Sequence, residues 1–163
     1  MGPGEHQKLI EQYAAGPARL RAALAAVPAE AMKWRPAPGE WSAHEVVVHC
    51  ADSETQSHGR IRQLLSDPDP VIAGYDENRW ARDLDYHALP IEPALATVDA
   101  VRANTVPLLR RLPESAWARA GRHTESGSYR ALDWLTIYAE HLELHSRQIE
   151  ANVAAWRQRG RPV

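Results

Sequence analysis

Glu140-His141-Leu142-Glu143-Leu144-His145 lies in the last long helix that the sequence predicts, over roughly residues 129–157. Two imidazoles four residues apart leave a helix from one face, about one turn apart, where a single metal ion can take both. At about 100° per residue, Glu143 faces the other way. The arrangement is therefore not the H-E-x-x-H of zinc proteases, in which a glutamate beside the first histidine serves as general base. Around the midpoint of the two histidines, Trp134, Ile137, Tyr138, Gln148, Ile149 and Asn152 fall on the same side, and Glu143, Ser146 and Glu150 fall opposite. The shared side is apolar before the histidines and mixed after them, so the pair is expected to face inward. Gln148 and Asn152 fit that side if they line a polar pocket. Neutral imidazoles turned inward need partners, and a metal ion is one efficient answer.

Three more helical stretches precede this one. The first covers roughly residues 5–27, with Leu9, Ile10, Tyr13, Leu20, Leu24 and Val27 as core candidates, and Pro17 after Gly16 is expected to bend or split it. Two prolines and a glycine make Trp34–Trp41 a loop. Ser42-Ala43-His44-Glu45 is a capping box that starts a second helix running to about Leu65, with Val46, Val47, Cys50, Ile61, Leu64 and Leu65 along one side. Ser66-Asp67-Pro68-Asp69-Pro70 stops it. Residues 66–90 form a long connection, with room for a short helix near Tyr75–Trp80, and connections of that length are often functional. The third helix is expected over roughly 91–112, kinked at Pro107, and a polar, Gly-containing stretch at about 113–128 leads into the fourth. No alternating strand pattern is visible. The expectation is a single all-α domain over residues 1–163, an antiparallel, up-and-down-like four-helix bundle.

The totals exclude several function classes. A chain of 163 residues with 44% apolar and 25% charged content can bury one proper core and is ordinary for a soluble globular protein. A net charge of -2 with intermixed signs gives no reason to expect nucleic acid or an anionic membrane as partner. No apolar run approaches the ~20 residues of a bilayer span, and the N-terminus lacks a signal-peptide layout. The lone Cys50 rules out an internal disulfide and accords with a reducing cytoplasm.

A third ligand for the His141–His145 pair has to come from another helix. Of the remaining histidines, His49 flanks the apolar side of the second helix, one turn from Val46 and Ser53. His44 and His58 point away from it, His6 lies in an expected frayed end, His87 in a loop and His123 in a polar connection. Three histidines plus water make an open coordination of catalytic type. Asp52, one turn after His49, could orient that ligand, act as base or approach the metal. Other residues have plainer readings: Trp41 as a staple at the helix start, Cys50 as a buried thiol, Glu45 as a cap, Trp134 and Tyr138 as core. Arg60 and Gln56 lie on the His49 side as rim residues within reach of an anionic substrate.

Taken in order, Trp34-x-Pro36-x-Pro38-Gly39-Glu40-Trp41-Ser42, then His49 with Asp52-Ser53-Glu54, and His141-x-x-x-His145 with Gln148-Ile149 resemble the DinB-like (DinB/YfiT) superfamily. So do Gly74-Tyr75-Asp76-Glu77-Asn78-x-Trp80-Ala81 and Trp117-x-Arg119-x-Gly121-x-His123-x-Glu125-x-Gly127. The likeness spans about residues 8–152 and rests on the order and spacing of these motifs together. It implies a four-helix bundle with long crossover connections, often a homodimer. It also implies a divalent metal such as nickel or zinc on His49, His141 and His145. The functions it implies are low-molecular-weight thiol transfer, thiol-dependent isomerisation or metal-dependent hydrolysis of a small molecule. An external thiol is ionised by the metal itself, whereas hydrolysis usually needs a base, for which Asp52 is the residue the sequence offers. The alternative is a non-catalytic, metal-stabilised dimeric bundle with a stress-response or interaction role.

Overall fold

Ser42 and Glu45 begin the second helix by a reciprocal cap. The Ser42 Oγ accepts the Glu45 N–H at 3.2 Å, and the Glu45 carboxylate accepts the Ser42 N–H at 2.9 Å. The computed structural model describes residues 3–159. Its elements are α1 (Pro3–Ala25), α2 (Ala43–Ser66), β1 (Val71–Ile72), α3 (Glu77–Asp83), α4 (Ile91–Leu109), β2 (Ala120–His123), β3 (Gly127–Arg130) and α5 (Ala131–Gln158). Helices α1, α2, α4 and α5 make a four-helix bundle. Among the described residues no helix is long and apolar enough to cross a membrane.

Pro17 does not split α1, which stays helical from Pro3 to Ala25. A proline has no N–H, so the Tyr13 carbonyl one turn earlier loses its helical donor. Arg102 supplies a replacement, its Nη1 donating to that carbonyl at 2.5 Å. The same guanidinium donates through Nε and Nη2 to Glu54 at 2.9 and 2.5 Å, and through Nη2 to the Tyr138 carbonyl at 2.9 Å. One buried ion pair thus ties all four bundle helices. Gly16 makes the adjoining contact possible, since a Cβ there would sit 2.9 Å from Leu142 Cδ1.

Contact order gives the helix directions. From Tyr13–Trp134 to Arg19–Glu150, residue numbers climb together, so α1 and α5 are parallel. Helices α2 and α4 are parallel too, from His44–Leu89 through Glu54–Arg102 to Arg62–Asn104. The pairs α2/α5 (Ser57–Trp134, Ser53–His141) and α1/α4 (Glu11–Arg110, Arg21–Asp99) are antiparallel. The main helix contacts join α1 to α5 and α4, and α2 to α4 and α5, so α1 faces α2 across the diagonal. Parallel neighbours α2 and α4 need the chain to return a full helix length between them. Residues 67–90 do this, carrying β1, α3 and a 3₁₀ turn at Tyr86–Ala88.

The expected absence of strands is overturned. β2 and β3 form a hairpin, and β1 joins β2 in parallel through Val71↔Arg122 and Ile72↔His123. β2 reads Ala-Gly-Arg-His and β3 buries only Tyr129, so there is no apolar alternation to see. Gly127, at φ 80°, closes the three-residue turn. The helix expected to reach residue 112 ends at Leu109, two residues after Pro107. His6 is not frayed: it is buried within α1, Nδ1 3.0 Å from Glu114 Oε1, against the Trp117 ring.

The buried stripe of α5 is also turned relative to the expectation. It centres on Leu135, Leu142, Ser146 and Ile149, all fully buried, while Ile137 is half exposed. The helical angle from the histidines puts Ser146 on the outward side, but its Oγ donates to the Leu142 carbonyl at 2.6 Å, which satisfies it inside. His141 and His145 therefore flank the core stripe at one edge.

Candidate metal centre

Antiparallel packing sets His49 of α2 opposite the His141–His145 pair of α5. One ring nitrogen from each of the three lies within 4.8 Å of the others. The ring centroids are 5.4 Å apart for His49–His141, 4.7 Å for His49–His145 and 4.6 Å for His141–His145. His49 is 1% exposed, and the other two are partly covered.

Electrostatics keep the rings neutral. Burial, with His145 adding, lowers the pKa of His49 to about 3. Burial and then the two neighbouring histidines hold His141 well below its ordinary value. Burial also lowers His145, opposed by its bond to Gln148. Neutral imidazole is the form that ligates. The Nδ1 atoms of His49 and His141 are buried without a hydrogen-bond partner, an expense that a metal or a ligand would relieve. Gln148 Oε1 and His145 Nδ1 are 2.9 Å apart, which fixes a proton on Nδ1 and leaves Nε2 as donor. Three borderline nitrogen donors at the edge of a bundle suit zinc, nickel or a related divalent ion. The residues present fit such an ion.

The surroundings explain the polar residues of α5. Besides the Gln148 contact, Asn152 Nδ2 donates to the Trp41 carbonyl at 2.8 Å, fastening the loop before α2. The Trp41 indole packs on His49, ring centroids 4.6 Å apart. Cys50 is fully buried, and burial pushes its thiol up, as suits a packing residue. Ser53 Oγ lies 3.3 Å from His141 Nε2.

Asp52 does not touch the rings. Its Oδ2 accepts the Tyr86 hydroxyl at 2.5 Å, tying the 67–90 connection onto α2. Two carboxylates approach the centre: buried Glu54, held by Arg102, with Oε1 3.9 Å from His141 Nδ1, and Glu77, at the first turn of α3, with Oε2 3.7 Å from His49 Nε2. The Asp76 side chain caps that helix by accepting the Arg79 N–H at 2.9 Å. Burial raises the pKa of Glu77, and the neighbouring Asp76 charge adds to the effect. The sequence signals for Glu77 were its place in a long connection and in the Gly74–Ala81 motif of the family resemblance, neither of which gives it a role at the centre.

Two clefts flank the centre, and Glu77 lines both. One, of about 220 Å³, also has Ser53, Arg60, Tyr75, Tyr138 and His141 in its walls, with His123 and Glu125 of the hairpin at its side. The other, of about 230 Å³, is lined by Gly39, Glu40, Trp41, Asn78, His145 and Gln148. His123 and Glu125 thus border the pocket rather than belonging to a plain surface turn. His44, His58 and His87 are engaged elsewhere, with the Leu89 carbonyl, Asn104 and Ser42 respectively.

Residues 12–149 match the family model of the DinB superfamily. A protein of Oceanobacillus iheyensis named "Putative metal-dependent hydrolase" is 36% identical over 111 residues, 68% of this chain and 64% of that protein's length. The match thus spans less than two thirds of that relative. A protein of the same name from Geobacillus kaustophilus is 29% identical over 147 residues, 90% of this chain and 83% of its own. Among solved structures, YfiT from Bacillus subtilis superposes with a TM-score of 0.88 at 23% identity, covering 96% of this chain and 90% of that one. It is described as "a probable metal-dependent hydrolase with an unusual four-helix bundle topology", and it shares the fold found here. The chain belongs to the DinB superfamily.

Proposed function

We propose that this protein is a metal-dependent hydrolase of a small molecule, with His49, His141 and His145 holding one divalent ion such as nickel or zinc. The observation that carries the reading is the convergence of three neutral imidazoles with a carboxylate, Glu77, 3.7 Å from one of them. The ion would supply Lewis acidity, lowering the pKa of a coordinated water or thiol. Glu77 is the proton acceptor at Oε2, its basicity raised by burial. Asp52 acts through Tyr86, holding in place the connection that carries Glu77. Trp41 covers His49 and limits water on that side. The names of the relatives support hydrolysis as the reaction class.

A second reading, transfer of a low-molecular-weight thiol to an electrophile, is favoured by the two clefts that meet at Glu77, since transfer needs two small-molecule sites. The same reading takes the chain as one domain and as a cytoplasmic homodimer without a nucleic-acid partner. Buried Cys50 and the net charge of -2 support the compartment and the lack of nucleic acid. Dimerisation rests on the family likeness and is checked by light scattering.

The test uses tag-free protein, stripped and reloaded with zinc or nickel, on panels of small esters and amides and of thiol–electrophile pairs. Glu77→Gln is expected to lower kcat for hydrolysis by about 10²–10⁴-fold with metal content unchanged. Turnover of thiol pairs alone, insensitive to Glu77→Gln, would favour transfer. No turnover with any metal, together with unfolding on metal removal, would leave the non-catalytic, metal-stabilised bundle.

A further inference from the structure

Arg60 stands on α2 in the wall of the 220 Å³ cleft that ends at His141. Its Nη1 donates to the Tyr138 hydroxyl at 3.1 Å, and its Nη2 to the Ala73 carbonyl at 2.6 Å. The guanidinium carbon lies 5.8 Å from the centroid of the Tyr75 ring. These contacts fix the plane of the group without neutralising it. Of five N–H donors, two are used, and the buried Nε has no partner. Two carboxylates line the same cleft, Glu77 and Glu125, yet among the described residues neither pairs with Arg60. A half-buried, oriented, unpaired guanidinium beside a metal centre is an incomplete recognition site.

We propose that Arg60 is a specificity-determining residue that receives the carboxylate of an anionic small substrate, whose reacting end lies at the three-histidine centre. The planar fork matches a carboxylate in a way that no point charge does, and the N–H groups that Tyr138 and Ala73 leave unused on Nη1 and Nη2 are the ones such a ligand would take. The inference rests on the metal reading above, for an electrostatic reason as well as a spatial one. Glu77 and Glu125 oppose an anion in the cleft, and a divalent cation on the histidines offsets them. His123 and His141 line the same cavity. The substrate class is therefore a small carboxylic acid, not a neutral or cationic molecule.

Tag-free protein loaded with cobalt(II) tests this through its visible spectrum, which reports metal binding and ligand binding without any turnover. The probes are acetohydroxamate, a metal chelator, and the monohydroxamate of succinic acid, which has the same chelating head plus a carboxylate. Wild-type protein is expected to bind the carboxylate-bearing probe at least about tenfold tighter, the scale of one charge-assisted hydrogen-bonded contact. Arg60→Met and Arg60→Gln should abolish that preference while leaving acetohydroxamate binding unchanged, and Arg60→Lys should keep only part of it. Equal affinities in the wild-type protein would overturn the proposal, a result that needs no variant to fold. A preference that survives both Arg60→Met and Arg60→Gln would overturn it too. In either case a normal cobalt spectrum keeps the metal reading intact. Absence of any cobalt spectrum would remove the metal reading and this proposal together.

Discussion

Gln148 Oε1 and His145 Nδ1 stand 2.9 Å apart, and that single contact places the proton on Nδ1 and leaves the Nε2 lone pair for another partner. Gln148→Leu keeps the volume and removes the acceptor. It is expected to lower metal affinity about 10–100-fold with little change in fold, checked by zinc titration against a chromophoric chelator. The three histidines were legible because helical spacing and burial pattern are both sequence properties. Glu77 was not: it lies in an irregular connection, where no period tells which way a side chain points. The Arg102–Glu54 pair is an intermediate case. Arg102 lies on the stripe of Val98, Thr105 and Leu109, and Glu54 on that of Val47, Cys50 and Ile61. Opposite charges in the apolar stripes of two helices are themselves a pairing signal.

At the scale of elements, two helical glycines with equal propensity have opposite roles. Gly59 in α2 has nothing within 4 Å of where a Cβ would be, whereas at Gly16 in α1 a Cβ would meet Leu142 and Arg102 at 2.9–3.1 Å. Gly59→Ala is expected to stabilise the protein by roughly 0.5–1 kcal/mol through helix propensity alone. Gly16→Ala is expected to destabilise it by about 1–2 kcal/mol, because overpacking against α5 outweighs the same gain. Urea unfolding of both variants decides this, and two shifts of the same sign would contradict the close approach of α1 and α5. The four long helices were legible to within a few residues, since caps, prolines and apolar periodicity mark them. Their directions were not, because α2/α4 parallelism is set by where the 67–90 crossover docks. The three short strands were invisible for want of apolar alternation. Pro17 misled because its freed carbonyl is answered by an arginine from another helix, a compensation that local sequence does not record.

Across the whole molecule, the crossover and the centre depend on each other. Antiparallel α2 and α5 bring His49 to His141 and His145, and the crossover returns along α2 to bring Glu77 to the same point, held there by Tyr86 on Asp52. The bundle buries its core with its own side chains, Trp134, Leu135, Leu142 and Ile149 among those inside. The edge of that core is where three neutral rings and two unpartnered nitrogens accumulate. X-ray absorption on tag-free protein reconstituted with one equivalent of zinc addresses that edge most directly. Three imidazole nitrogens at about 2.0–2.1 Å around a single ion per chain are expected. A spectrum with one imidazole or none, or with zinc that washes away on dialysis, would contradict the three-histidine centre.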